Sequence, residues 1–89
     1  MIKAITLRNR GTVNKNTVEI ESTNGDIMLD FSYQTIVAIR YNGDRFVSVN
    51  DWSTTTGKFL NELEPDKDKR YPHARVMQEV QKALKSISK

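Results

Sequence analysis

The sequence predicts a single α+β domain over residues 1–89. An antiparallel sheet of about five strands, residues 2–50, precedes a short helix at about 54–63 and a C-terminal amphipathic helix at about 72–87 packed on the sheet. Two observations indicate this order. Through Asn50, apolar and polar residues alternate in short segments between turn residues, as in antiparallel strands with one buried face. After Asp51 the apolar spacing changes to about 3.6 residues, the period of an α-helix.

The first two strands are short and half apolar. The first is predicted from Ile2 to Leu7, where apolar residues recur before a turn. The second carries Val18 and Ile20 in alternation with glutamates, and we expect it to begin near Thr12 or Val13. The second strand therefore presents one apolar side and one polar side.

The third strand has the clearest alternation in the chain. It follows the turn dipeptide Asn24-Gly25, and its apolar residues share one side of a strand: Ile27, Leu29, Phe31 and Tyr33. Met28, Asp30 and Ser32 share the other side. This period of two predicts a strand and is difficult to reconcile with a helix.

The fourth and fifth strands form a predicted hairpin. Thr35–Tyr41 is nearly continuous in apolar and β-branched residues, which favours a central strand covered on both faces. The dipeptide Asn42-Gly43 readily adopts the two positive φ angles of a type I′ turn. Arg45–Asn50 is then the returning strand.

Two helices complete the domain. Phe59, Leu60 and Leu63 form a short helical stripe after Ser53 or Thr54 as N-cap. Gly57 costs this helix about 1 kcal/mol relative to alanine. The second helix begins near Pro72. Its apolar residues recur at helical spacing and predict a docking face: Val76, Met77, Val80, Ala83, Leu84 and Ile87.

Hydroxyl residues cluster at the start of the first helix, where unpaired backbone N–H groups can bind an anion. The candidate ligand-binding residues are Ser53, Thr54, Thr55, Thr56 and Lys58. They lack the glycine-rich turn of a P-loop, and Phe59 replaces the hydroxyl residue that follows the P-loop lysine. Helix capping by these hydroxyls explains the cluster as well, and both interpretations stay open.

Aromatic residues offer a second candidate surface. Tyr33, Tyr41 and Phe46 on the sheet, with Arg40 and Arg45 as phosphate contacts, would suit stacked nucleic-acid bases. The glycine- and aromatic-rich motif of RNA-reading sheets is missing, so these residues serve equally well as packing residues. We expect the single tryptophan, Trp52, to close the gap between sheet and helix.

The composition excludes several kinds of site. The chain has no cysteine, which removes thiol nucleophiles, disulfides and thiolate zinc sites. His73 is the only histidine, and beside Pro72 it fits a packing role at the helix start. No catalytic residues, metal ligands or cofactor are predicted. The net charge of +3 is spread over the chain, +1 through Asn50 and +2 beyond it, so charge alone does not identify a nucleic-acid partner.

The segments Phe31–Ala38 and Trp52–Asn61 together resemble a pattern in small uncharacterised proteins of tailed phages and other mobile elements. A Tyr-x-Thr strand there precedes a helix start of the type Trp-Ser-x-Thr-Thr-x-Lys, and the likeness covers about residues 31–61. In that pattern the lysine is often followed by histidine, whereas Phe59 stands here. The resemblance implies a phage accessory protein and carries no established activity.

We therefore expect a non-enzymatic binding module, of phage-accessory or host-modulating type, whose macromolecular partner is a protein or a nucleic acid. The alternative is a small phosphate- or nucleotide-binding protein or enzyme that uses the Ser53–Lys58 helix start. No apolar run approaches the roughly 18 residues of a membrane span, so we expect a cytoplasmic protein, in the host cytoplasm if phage-encoded. An exposed edge strand or helix would permit a homodimer.

Overall fold

The structure is a computed structural model that describes residues 1–11 and 14–87. The described strands and helices, in chain order, are β1 (Ile2–Asn9), β2 (Lys15–Ser22), β3 (Ile27–Ser32), β4 (Thr35–Tyr41), β5 (Asp44–Val47), α1 (Thr54–Leu63) and α2 (His73–Ile87). A 3₁₀ turn at Lys67–Lys69 lies between the helices. The predicted α+β fold is confirmed. The expected start of the second strand near Thr12 or Val13 lies outside the described residues.

The five strands form one antiparallel sheet in the order β1-β2-β3-β4-β5, so each strand pairs with its neighbour in sequence. β3 is therefore the middle strand, and the prediction that β4 occupies the centre is wrong. β4 is nevertheless covered on both faces, because Val37, Ala38 and Ile39 are fully buried. Sequential pairing through short turns places every strand beside its closest partner along the chain.

Two turns use residues in the left-handed region of backbone conformation. Asn42 and Gly43 have φ angles of 53° and 79°, which confirms the predicted tight hairpin turn between β4 and β5. Tyr33 has a φ of 55° in the turn between β3 and β4. β3 ends at Ser32, so Tyr33 is a turn residue and does not extend the apolar face of the strand as predicted.

Helix α1 covers one face of the sheet at β4 and β5. Phe59, Leu60 and Leu63 pack with three strand residues to form a buried cluster, and these partners are Val37, Ala38 and Val47. The Ser53 hydroxyl accepts a hydrogen bond from the Thr56 N–H and caps the helix. A Cβ at Gly57 would lie 2.8 Å from the Asn50 Nδ2, so a larger residue there requires the exposed Asn50 side chain to move aside.

Helix α2 covers the opposite face of the sheet. Val76, Val80, Ala83 and Ile87 are buried against strand residues that include Ile20, Ile27, Leu29 and Ile39. The His73 Nε2 lies 3.0 Å from the Ile36 carbonyl oxygen at the start of the helix, and the Asn24 Nδ2 donates to the Ser86 carbonyl at its end. The helix thus runs obliquely from β4 towards the turn between β2 and β3.

Two side chains and one strand end also differ from the predictions. Trp52 does not seal a gap, because it is 39% exposed. Its ring is perpendicular to that of His73, and the two centroids are 5.1 Å apart. Leu84 is also 39% exposed, since it lies at the margin of the docked face of α2. The observed strand is shorter than the predicted Arg45–Asn50. β5 ends at Val47, and Ser48 forms an isolated bridge with Tyr71.

Candidate functional site

The β1 end of the sheet is exposed on both faces. All eight residues of β1 are exposed, whereas β4 carries a helix on each side. Cross-strand pairing places Ile5 beside Ile20 and Leu7 beside Val18, so these β1 side chains lie on the face that α2 covers further along the sheet. The apolar face therefore continues beyond the edge of the helix into solvent.

An apolar groove of about 340 Å³ lies on this uncovered face. We define the β1 groove by its lining residues, which are Leu7, Asn16, Val18, Phe31, Tyr33 and Gln34. Leu7 is 69% exposed and Tyr33 is 56% exposed. The groove exists because α2 passes obliquely over the sheet and leaves this corner without a covering layer. Such an exposed apolar patch is typical of an interaction site.

A smaller pocket of about 120 Å³ adjoins the β1 groove at Tyr33. Trp52 and Thr56 line it together with Ser32, whose hydroxyl is 2.8 Å from that of Thr56. The exposed rings of Tyr33 and Trp52 thus extend the apolar surface from the groove to the start of α1. Large aromatic rings at a surface are favourable anchors for a partner.

The opposite face of the same strands is polar and internally paired. The Asp30 carboxylate is fully buried, accepts a 2.6 Å hydrogen bond from the Thr17 hydroxyl, and pairs with Arg40 at 3.0 Å. Arg10 donates to the same Thr17 oxygen at 3.4 Å, and Arg8 pairs with Glu19. These arginines are paired with acidic and hydroxyl side chains. The groove face differs from this one because its exposed side chains are apolar.

A second polar cluster holds α2 against the sheet. The Tyr41 hydroxyl donates to Oε2 of buried Glu79 at 3.0 Å, and Lys82 and Arg75 pair with Oε1 at 3.2 and 3.6 Å. Burial raises the pKa of Glu79, but hydrogen bonds from Lys82 and Tyr41 and the nearby positive charges outweigh it, so the pKa is lowered from 4.5. Burial and the bond to Glu79 raise the pKa of Tyr41 above 10.0.

This cluster predicts a loss of stability in acid. Because the pKa of Glu79 is lowered on folding, its carboxylate stabilises the fold above pH 4.5, and this contribution disappears as the pH falls below that value. We expect Glu79→Gln to lower the unfolding free energy at neutral pH and to flatten its decline in acid. Urea unfolding of both proteins across this range measures the difference. Parallel pH profiles would contradict the assigned role.

The predicted anion-binding residues lie together at the start of α1, but two of them are engaged internally. Ser53 caps the helix, and Thr56 is buried with its hydroxyl bonded to Ser32. Thr54, Thr55 and Lys58 are exposed. The capping interpretation thus has a direct structural counterpart in the Ser53 hydrogen bond, and the exposed residues remain available for a ligand.

The predicted stacking residues are not brought together on one face. The Tyr41 hydroxyl bonds to α2, and the Tyr41 ring lies 6.2 Å from that of Phe46 beneath the helix. Arg40 pairs with Asp30 on the opposite face, and Arg45 pairs with Glu64 at 3.2 Å. Tyr33 lies apart from them in the β1 groove.

A cleft of about 300 Å³ lies beside α1. Its lining includes Gly57 and Asn61 of the helix together with Lys67 and Arg70. Among residues 1–11 and 14–87, no three His, Cys, Asp or Glu side chains lie close enough to hold a metal ion. Neither described helix is long and apolar enough to cross a membrane.

Sequence reasoning did not identify the β1 groove. Leu7, Val18 and Phe31 have the alternation of ordinary core residues, and nothing local to them indicates that α2 leaves them uncovered. The available signal was the number of helices compared with the number of strands, because two helices cannot cover both faces of five strands. This comparison does not show which strands stay uncovered.

Comparison with known proteins adds a family. Residues 1–79 match a family of unknown function, DUF8033. No curated protein and no solved structure matches the chain. The family match includes all five strands, α1 and the first half of α2. Since it spans most of the chain, this protein belongs to DUF8033, a family of unknown function.

Proposed function

We propose that this protein is a non-enzymatic binding module whose partner is a protein segment that rests in the β1 groove. The observation that carries the proposal is the exposure of Leu7, 69%, and of the adjoining turn residue Tyr33, 56%, beside the part of the sheet face that α2 buries. A domain of 89 residues has a small core, so apolar side chains left in solvent are a loss of stabilising free energy. A partner that covers these side chains gains that free energy on binding.

The groove chemistry favours a protein over a nucleic acid. Its floor is aliphatic and aromatic, from Leu7, Val18 and Phe31, and no lysine or arginine among residues 1–11 and 14–87 lines it. A nucleic-acid site combines stacking rings with cations that contact phosphates. The amide side chain of Gln34 instead borders the groove and suits the backbone of an extended peptide with an apolar side chain.

A phage-accessory or host-modulating role is part of this proposal. It is supported by the resemblance of residues 31–61 to small phage proteins. Tyr33 belongs both to that segment and to the groove, so the motif and the candidate surface overlap. A host protein that presents an extended apolar segment is the kind of partner that such a role requires.

Affinity capture from the lysate of the native host tests this function. We expect the wild type to capture a protein whose binding persists after nuclease treatment. We expect Tyr33→Lys not to capture it, because a lysine replaces an apolar wall of the groove. Asn42→Lys is a matched control, since Asn42 also lies in a turn with a positive φ but outside the groove. Equal capture by both variants would refute the groove assignment.

The alternative, a small phosphate ligand at the α1 start, is tested in parallel. A melting temperature that rises with inorganic phosphate or nucleotides, and no longer rises in Lys58→Ala, would support it. A protein bound only through nucleic acid would disappear from the capture after nuclease treatment. These outcomes separate the three classes of partner.

A further inference from the structure

The free edge of the sheet at β1 presents backbone hydrogen-bonding groups in a regular order. The Arg10 N–H donates to the Lys15 carbonyl at 2.8 Å, so the backbone groups of Arg10 point towards β2. Because these groups alternate direction along a strand, those of Thr6 also point towards β2, whereas those of Ile5 and Leu7 point outward. β2 is the only strand beside β1 among the described residues.

The central part of the outer edge of β1 lacks the features that usually prevent another strand from pairing with it. A register shift between Ile2 and Ala4 distorts the start of the strand. From Ala4 to Leu7 the strand is regular and contains no charge and no proline. Charged residues, prolines and bulges are the features that normally keep an edge strand from adding another strand.

The edge is complementary to itself in one antiparallel arrangement. A two-fold axis at Thr6 pairs Ile5 of one copy with Leu7 of the other, and the same pair recurs on the other side of the axis. Both residues point their backbone groups outward, so each pair exchanges two hydrogen bonds. Their aliphatic side chains lie on the same face of the joined sheet, where cross-strand apolar pairs stabilise it.

Charge complementarity supports the same register. It places Arg8 of one copy opposite the small Ala4 of the other. Ala4 is paired within its own sheet with Glu21, so Arg8 extends over a small residue towards a carboxylate of the second copy. Its own ion pair with Glu19, at 3.4 Å, lies on the other side. Each arginine then has one acidic residue from each copy nearby.

The neighbouring register is less complementary. An axis at Leu7 also aligns outward backbone groups, but it pairs Ile5 with the polar Asn9 and sets Thr6 against the charged Arg8. An axis at Ile5 sets Leu7 against Lys3, within the register shift at the start of β1. The axis at Thr6 alone matches aliphatic with aliphatic side chains on both sides.

We propose that two copies of this chain pair through antiparallel β1 strands about a two-fold axis at Thr6, forming a continuous ten-stranded sheet. The pairing joins the edges of the two sheets and leaves a β1 groove on each copy. It sets Ile5 of the second copy beside Leu7, which also lines the groove, so the dimer and the proposed partner share this one residue. An edge of eight residues per copy buries less surface than a standard protein interface. The dimer should therefore dissociate on dilution.

Disulfide trapping tests the register. The chain contains no cysteine, so Thr6→Cys introduces a single thiol per copy. Residues at the axis form a non-hydrogen-bonded pair with Cα atoms about 4.5 Å apart, within the range that a disulfide spans. Under mild oxidation we expect Thr6→Cys to form a covalent dimer rapidly, and the exposed Lys58→Cys on α1 to form it only slowly. Equal rates would overturn the proposal.

Sedimentation velocity over a concentration series tests the dimer without any cross-link. We expect the wild type to shift from 10.2 kDa towards twice that mass as its concentration rises. Leu7→Lys should weaken association about tenfold or more, because the symmetry removes two apolar pairs at once. Tyr33→Lys should dimerise as the wild type does. A monomer through the high micromolar range would overturn the proposal and leave partner capture unaffected.

Discussion

Replacing Phe59 by alanine is expected to lower the unfolding free energy by about 3–5 kcal/mol. The Phe59 side chain is fully buried at the centre of the cluster between α1 and the sheet, with Val37 and Val47 from the strands. Removing its ring deletes the largest of the three apolar side chains that α1 buries in this cluster and leaves a cavity. The few residues around it cannot collapse to fill that space without moving the helix.

The size of the domain makes this effect severe. A chain of 89 residues has a stability on the order of 5–13 kcal/mol, so the substitution removes a large fraction of it. Urea unfolding followed by circular dichroism measures the loss. Phe59→Leu, which keeps most of the volume, should cost much less. Leu84→Ala is a second control, since Leu84 is 39% exposed and its truncation should change stability only slightly.

A comparable loss in Phe59→Ala and Leu84→Ala would contradict the described packing of α1. It would mean that α1 does not pack on the sheet through Phe59. The contacts of Lys15 with α1 depend on the same packing, because its ammonium lies 5.7 Å from the centroid of the Phe59 ring and 3.5 Å from Glu62 of this helix. These contacts fix which side of α1 faces β2.

Local chemistry explains why the elements could be predicted. Asn42-Gly43 specifies its turn through the φ angles that these two residues tolerate, and the structure shows both angles positive. The alternation of Ile27 and Leu29 specifies a strand with one buried face, and both side chains are buried. Each of these signals is contained within a few residues, so no knowledge of distant packing is required.

Tertiary placement explains what could not be predicted. Leu7 has the same alternating context as Leu29, yet Leu7 is 69% exposed and Leu29 is 6% exposed. The difference arises because α2 crosses β4 and reaches the turn before β3, a path set by contacts such as that of Asn24 with Ser86. Trp52 is exposed for a similar reason, since α1 docks through Phe59 and leaves the preceding segment outside the core.

The polar pair between β3 and β4 provides the second large effect. Asp30→Ala should lower the unfolding free energy by about 2–4 kcal/mol, somewhat less than for a fully enclosed pair, because the Arg40 side chain is 34% exposed. The substitution removes the acceptor for the Thr17 hydroxyl and the counter-charge of Arg40 together. The arginine then lies over the sheet with a part-buried charge and no acidic partner within the described contacts.

A double-substitution cycle separates the pair energy from the cost of an orphaned charge. Asp30 Oδ2 and Arg40 Nε are buried without a hydrogen-bond partner among the described residues, so the pair is incompletely satisfied. An apolar replacement of both residues avoids that desolvation cost and can be neutral. We therefore expect Asp30→Val combined with Arg40→Met to be more stable than Asp30→Val alone.

The single variant Arg40→Met completes the cycle, since it leaves the buried Asp30 carboxylate with Thr17 as its remaining partner. We expect it to be destabilising as well, so that the two single losses add up to more than the loss in the double variant. Strictly additive losses would show that Asp30 and Arg40 do not interact across the sheet. In that case the Thr17 hydrogen bond at 2.6 Å would account for the burial of Asp30, and Thr17→Val would reproduce the effect of Asp30→Ala.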